Sequence, residues 1–223
     1  MLTSANFEAP FIRVMFKTRI ALMLFFLTIK GASFAQNWDI QLLREIHMER
    51  NTGLDQSNKL FSNSVTPMVI GTPIAIFSLG LIRNDLSLEQ KGFFLAQSII
   101  GSTILSAGLK YSINRVRPYV TYPDLQPIYK SNSPSFPSGH TTKAFALATS
   151  LSIAYPEWYV VAPSILWASA VGYSRLHLGL HYPSDVLAGA VLGSASAFLT
   201  YKLNKVLNKK IDKQWLFQRA ETL

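Results

Sequence analysis

The stretch SRLHLGLHYPSD, residues 174–185, gathers Ser174, Arg175, His177, His181 and Asp185 inside a chain otherwise rich in apolar runs. An arginine fork matches phosphate oxygens, an imidazole can act as nucleophile or base, and a carboxylate can fix the imidazole tautomer. Two other readings fit the same residues. His177, His181 and Asp185 at four-residue spacing could share a helix face and bind zinc, or the stretch could be no more than a well-solvated helix start. Pro183 argues against a continuous helix here, because proline fits a first turn and not an interior. The spacing therefore predicts a helix starting near Pro183 with His181 in the loop before it, and His177 as a packed, supporting residue.

Two further clusters sit at the ends of apolar segments. KYSINRVRP, residues 110–118, brings Lys110, Arg115 and Arg117; alone it reads as a basic helix end that complements the helix dipole. Arg115 is either a cation at a pocket mouth or a solvated charge. SFPSGHTT, residues 135–142, places Ser138, Gly139 and His140 where a helix begins. Backbone amides at such a start point toward an anion, although a capped helix start would have the same composition. Phosphoryl transfer spreads charge over non-bridging oxygens, so fixed cations and N–H donors are what a site for it needs.

Helices must position these clusters. Val65–Ile82 and Gly92–Leu109 are eighteen-residue stretches without a charge, each about 27 Å long as a helix and close to the ~30 Å bilayer core. The polar linker RNDLSLEQK separates them as a hairpin requires. Three more apolar segments follow, at 144–155, 158–173 and 186–201; the last carries Gly189, Gly193 and Ala197, a small-residue stripe that lets helices approach. Trp38, Leu42 and Ile46 recur every four residues, so residues 38–50 read as a short amphipathic helix on a surface, with His47 a surface histidine. Hydrophobic residues are 49% of the chain and charged residues 15%, against about 25% charged in a soluble domain. The composition predicts an all-α, membrane-embedded helical bundle of about five spanning helices, a soluble bundle being the alternative.

The net charge of +9 and the absence of cysteine narrow the chemistry. Disulfides and thiol catalysis are excluded, and without a basic stripe interleaved with aromatics nucleic acid is not an expected partner. Phosphate-bearing partners are. At the N-terminus, Lys17 and Arg19 precede the apolar run Ile20–Ile29 and the small-residue site Ser33-Phe34-Ala35, the layout of a cleaved secretory signal peptide. Met15 is a possible alternative start. The expected organisation is a signal peptide at 1–35, an amphipathic interfacial segment at 36–64, a helical domain at 65–203 and a basic cytoplasmic tail at 204–223. Five crossings from an outside start place loops 110–143 and 174–185 on the outer face and the tail inside, in keeping with the positive-inside bias.

Lys110 followed by Arg117-Pro118, then Pro137-Ser138-Gly139-His140, then Ser174-Arg175 with His181 and Asp185, resembles the three-part signature of the type 2 phosphatidic acid phosphatases. That superfamily also contains bacterial acid phosphatases and vanadium haloperoxidases. All three parts occur in order, within residues 110–185. The resemblance implies a metal-independent phosphatase, with His181 as the nucleophile, Asp185 hydrogen-bonded to its other ring nitrogen, and His140 protonating the leaving oxygen and later activating water. Lys110, Arg117, Ser138, Gly139 and Arg175 would bind the phosphate, with no metal or other cofactor. The expected substrate is a lipid phosphate or pyrophosphate monoester presented at the periplasmic face of the inner membrane, with residues 119–136 shaping its access. Alternatives are a soluble periplasmic acid phosphatase, a vanadium-dependent haloperoxidase, and a non-catalytic phospholipid-binding membrane module.

Overall fold

The computed structural model describes residues 37–220, with side chains through Leu207. The expected signal peptide lies outside the described residues. The chain divides into a short N-terminal unit, described over residues 37–42, and a main unit from Leu43 onward. Among the described residues the regular structure is helical: α1 (37–48), α2 (Asp55–Arg83), α3 (Leu86–Ile113), α4 (Pro118–Thr121), α5 (Gly139–Ala154), α6 (Trp158–His177) and α7 (Pro183–Ala220).

Local sequence explains where the helices stop. The α2–α3 linker is shorter than expected. Asn84 takes the left-handed conformation at φ 52° that ends α2, and the Asp85 carboxylate accepts from the amides of Ser87 and Leu88, so residues 86–91 join α3. Likewise α2 begins at Asp55, so the second part of the expected interfacial segment is continuous with the apolar helix. Pro183 opens α7, with His181 in the loop before it, as the sequence predicts.

Helix α5 occupies the middle, packed against α2, α3, α6 and α7. Its buried Ala144, Leu147 and Ala148 meet Val65 and Val69 of α2, Leu95 and Ile99 of α3, and Ala168 and Val171 of α6. Small polar residues are also inside: Ser62, Ser98, Ser102, Ser106, Thr141 and Thr142 are buried. Their hydroxyls mostly bond within the bundle, as Ser98 Oγ does to Phe94 O at 2.9 Å. Large apolar side chains point outward instead, including Ile70, Ile74, Ile100, Ile104, Leu187 and Val191. A contiguous apolar exterior of this kind is costly in water and favourable in hydrocarbon. Among the described residues three helical segments, Thr52–Arg83, Leu86–Thr121 and Pro183–Leu207, are long and apolar enough to cross a membrane.

A close helix contact lies on the small-residue stripe. A Cβ on Gly193 would fall 2.2 Å from Thr142 O and 2.8 Å from Ala146 N, so α7 approaches the α5 backbone through an absent side chain. Gly108 of α3, by contrast, faces open space. Gly193→Ala therefore lowers stability by about 1–3 kcal/mol through overpacking against backbone, whereas Gly108→Ala raises it by about 0.5–1 kcal/mol through helix propensity. Thermal unfolding of the two variants in detergent reads both signs.

Candidate active site

The three sequence clusters converge because each ends or begins a helix at the same end of the bundle. Lys110 lies in the last turn of α3, Arg175 and His177 in the last turn of α6, Asp185 in the first turn of α7, and Gly139 and His140 open α5. Arg117 stands at the N-cap of α4, positioned by Pro118. Lys110 and Arg175 therefore sit at carboxyl ends and the α5 amides at an amino end, an arrangement that helix dipoles favour around an anion.

His181 is buried in the loop between α6 and α7. Its Nδ1 lies 3.5 Å from Asp185 Oδ2, and its Nε2 lies 3.4 Å from Arg117 Nη1. A carboxylate on one side and a guanidinium on the other select the tautomer with the proton on Nδ1, leaving the Nε2 lone pair toward the cations. Asp185 is itself fixed: its Oδ2 accepts from Ser135 Oγ and from the Tyr182 amide at 3.0 Å, and its Oδ1 accepts from Arg115 Nη1 at 2.7 Å.

The cations are held by oxygen acceptors. Arg117 Nε donates to Ser133 O at 2.7 Å and Nη1 to Leu180 O at 2.9 Å. Lys110 Nζ donates to Pro134 O at 2.6 Å. Arg175 Nη1 donates to the hydroxyls of Ser62 and Tyr129, while its Nε is buried with no hydrogen-bond partner. A buried donor left unpaired costs about 1–3 kcal/mol, and an anion in the cage would satisfy it.

The amino end of α5 faces the same space. Its first internal bond runs from Thr142 N to Ser138 O at 2.9 Å, no side chain caps the end, and a Cβ on Gly139 would meet nothing within 4 Å. The amides of Gly139 and His140 precede that bond and are available to an anion. Ser138 is fully buried and its hydroxyl is paired with Thr141 Oγ1 at 2.9 Å, so its proton is free for a phosphate when Thr141 is the donor of that pair. His140, half-buried, feels the charges of Arg175, Lys143, His181 and Arg117.

The His181 imidazole is held neutral. Burial takes it down to about 3, with the Asp185 hydrogen bond opposing and Arg175 and Arg117 adding to the shift.

Several supporting residues escaped the sequence reading. Ser135 was inside a quoted cluster and is the acceptor-fixing partner of Asp185; Ser62 and Tyr129, far from Arg175 in the chain, carried no signal. Arg115 is neither solvated nor idle, since it is paired with Asp185 and lies over the Tyr182 ring at 3.9 Å. His177 is packed, as expected, with Nε2 2.7 Å from Asp55 Oδ1. It thus faces Asp55 while His181 faces Asp185, so the two imidazoles do not converge as zinc ligands. The expectation for His47 is corrected: it is buried, with its ring nitrogens 2.8 Å from His177 O and 2.9 Å from Gln126 O. It fits there because Gly179, at φ 72°, leaves room that a Cβ would fill at 2.7 Å from the ring.

Residues 91–209, more than half of the chain, match the profile of the PAP2 superfamily. The chain belongs to the PAP2 superfamily. Undecaprenyl-diphosphatase BcrC of Bacillus subtilis is 32% identical over 77% of this chain and 87% of its own length. Among solved structures, the Aquifex aeolicus LpxE crystal structure superposes with a TM-score of 0.65 at 28% identity, over 74% of this chain and 95% of that one. The transmembrane PAP2-type phosphatidylglycerolphosphate phosphatase of Bacillus subtilis gives 0.65 at 25% identity, over 83% and 95%. The chain spans only 34% to 54% of the length of several other curated relatives that it matches. Spanning-type helices and these membrane relatives make it a membrane protein.

The depressed His181 gives this cluster a pH signature. Unfolded, the imidazole titrates near 6.5. Between pH 6.5 and 3 the unfolded chain therefore binds protons the folded chain refuses, so stability present above pH 6.5 is lost as pH falls toward 3. For His181 the slope approaches about 1.4 kcal/mol per pH unit. Thermal unfolding in detergent from pH 7 to 4 should be flatter for His181→Asn than for the wild type.

Proposed function

We propose that the protein is a metal-independent phosphatase that hydrolyses the phosphate or pyrophosphate group of a membrane lipid through a phosphohistidine intermediate on His181. The observation that carries this reading is the polarised setting of His181, with Asp185 behind Nδ1 and Arg117 beside Nε2. Binding an anion requires cations and amides; it does not require a buried imidazole whose lone pair is aimed among them.

In this mechanism Lys110, Arg117, Arg175 and the amides of Gly139 and His140 hold the non-bridging oxygens. Ser138 adds a hydroxyl donor when Thr141 donates to Ser138 Oγ. His181 Nε2 attacks phosphorus and forms a P–N bond as the bond to the leaving oxygen breaks. His140 gives its proton to that oxygen. The incoming dianion prepares this step, since a nearby negative charge favours the protonated imidazole of His140. His140 then takes a proton from water, which attacks the phosphohistidine, breaks the P–N bond and releases phosphate. The Nδ1 proton stays with His181 throughout, held by Asp185.

A lipid substrate is supported by the apolar exterior around the site and by the relatives, one an undecaprenyl-diphosphatase and one a phosphatidylglycerolphosphate phosphatase. We assign five crossings to α2, α3, α5, α6 and α7, with the site at the periplasmic face of a bacterial inner membrane after loss of the signal peptide. Lys202, Lys205, Lys209, Lys210, Lys213 and Arg219 then fall on the cytoplasmic side.

Detergent-solubilised membranes with EDTA, offered polyprenyl pyrophosphate, phosphatidylglycerophosphate, phosphatidate and a soluble aryl phosphate, should release phosphate from at least one lipid. His181→Ala should abolish release, and Arg117→Lys should cut kcat/KM about 10- to 100-fold by losing bonds to a charged group. Release from the aryl ester alone would contradict a lipid substrate, and full activity in His181→Ala would remove the nucleophile.

A further inference from the structure

A second cavity lies at the other end of the bundle from His181. It measures about 620 Å³ and is bounded by the start of α3, the end of α5 and the middle of α7. Its polar wall carries Gln90, Lys91, Asn204 and Lys205, and its floor is the edge-to-face pair of Phe94 and Tyr201, with ring centroids 6.3 Å apart. Among the described residues, no carboxylate lines it. Asp85 and Glu157 are in electrostatic reach of nearby Tyr155, but the Asp85 carboxylate is occupied by the amides at the start of α3. Lys91 Nζ lies 4.3 Å from the Tyr155 ring centroid, a contact that fixes one ammonium beside the cavity.

The position of the cavity identifies its surroundings. Lys91 and Lys110 stand on one helix, nineteen residues apart, or about 28 Å along its axis. Asp185 and Lys205 stand on α7, about 30 Å apart by the same rise. Those lengths equal the ~30 Å hydrocarbon thickness, so a site at one headgroup layer puts this cavity at the other.

A second feature continues from it. Phe93 also borders a groove of about 200 Å³ lined only by Pro73, Ile74, Phe77, Gly92, Phe93 and Ala96. Ile74 and Ala96 are nine and ten residues inside the ends of α2 and α3, about 15 Å toward the bilayer centre. A basic cavity at headgroup depth that shares Phe93 with an apolar groove nearer the midplane has the charge and polarity of one ligand class.

We propose that this cavity and groove bind one anionic phospholipid of the leaflet opposite the active site, the headgroup between Lys91 and Lys205 and an acyl chain along Phe93 and Ala96. The inference rests on the membrane-spanning arrangement proposed above, and not on the chemistry at His181. Neither lysine belongs to the phosphatase cage.

Full-length protein in detergent is titrated with dioleoyl phosphatidylglycerol or dioleoyl phosphatidylcholine, with thermal unfolding and retained lipid by native mass spectrometry as readouts. Phosphatidylglycerol should bind at least tenfold more tightly than phosphatidylcholine. Lys91→Gln/Lys205→Gln should remove that preference, Ala96→Phe should weaken retention of both lipids, and Lys202→Gln, on the neighbouring exposed face, should change neither. Equal affinity for the two lipids, or an unchanged preference in the double variant, overturns the site. Phosphate release assayed alongside separates the two readings: selective lipid retention without phosphatase activity keeps this site and removes the catalytic proposal, and activity with no lipid preference does the reverse.

Discussion

The organising constraint is the burial of cations at one end of a helical bundle. Arg175 is 2% exposed and Arg117 5%, with Lys110 nearby. Removing such charges from water costs several kcal/mol each unless oxygen acceptors replace the lost hydration. Here the acceptors are the backbone carbonyls of residues 133, 134 and 180 and, equally, the hydroxyls of Ser62, Tyr129 and Ser133. Asp185 is the carboxylate that faces this group, and it is taken by Ser135, Tyr182 and Arg115. Much of the positive charge is therefore not neutralised internally, and the buried Arg175 Nε keeps an unspent donor.

The fold follows from supplying those acceptors. The loop from 122 to 138 must come back over the bundle so that its carbonyls reach Arg117 and Lys110, and Tyr119 anchors it by accepting from Ser131 N and donating to Ser131 O. The loop from 178 to 182 must present Leu180 O to the same guanidinium while turning His181 inward. Gly179 makes that turn against the His47 ring, which is why α1 belongs to the site's support although it carries no residue of the cage. Beneath, the α5–α7 contact through Gly193 sets the spacing between His140 and Asp185, because both residues ride on the first turns of those two helices.

Periodicity and charge gaps made the long helices legible, and Pro183 correctly separated His181 from the helix that carries Asp185. The cage residues were legible because each is chemically unusual where it stands, a cation or imidazole at the edge of an apolar run. Residues without that contrast were not. Ser62 and Tyr129 hold Arg175 from 113 and 46 residues away, and a serine or tyrosine carries no local mark of such a partner. Asp55 and His177 meet across 122 residues for the same reason. His47 was misread because an amphipathic pattern indicates that one face is buried but not what covers it; here two carbonyls do. The α2–α3 linker was overestimated because its polar residues belong to a helix start capped by Asp85.

The central claim is that His181 carries the phosphoryl group, and direct trapping tests it. Purified protein is mixed with a substrate labelled at phosphorus and bearing a leaving group that needs no protonation, then quenched in alkali within the first turnover. Wild type, and more strongly His140→Ala, should hold label that is stable to alkali, labile to acid and located on the peptide containing His181. Turnover with no protein-bound label at the time of a product burst, or acid-stable label on a hydroxyl side chain, would contradict it.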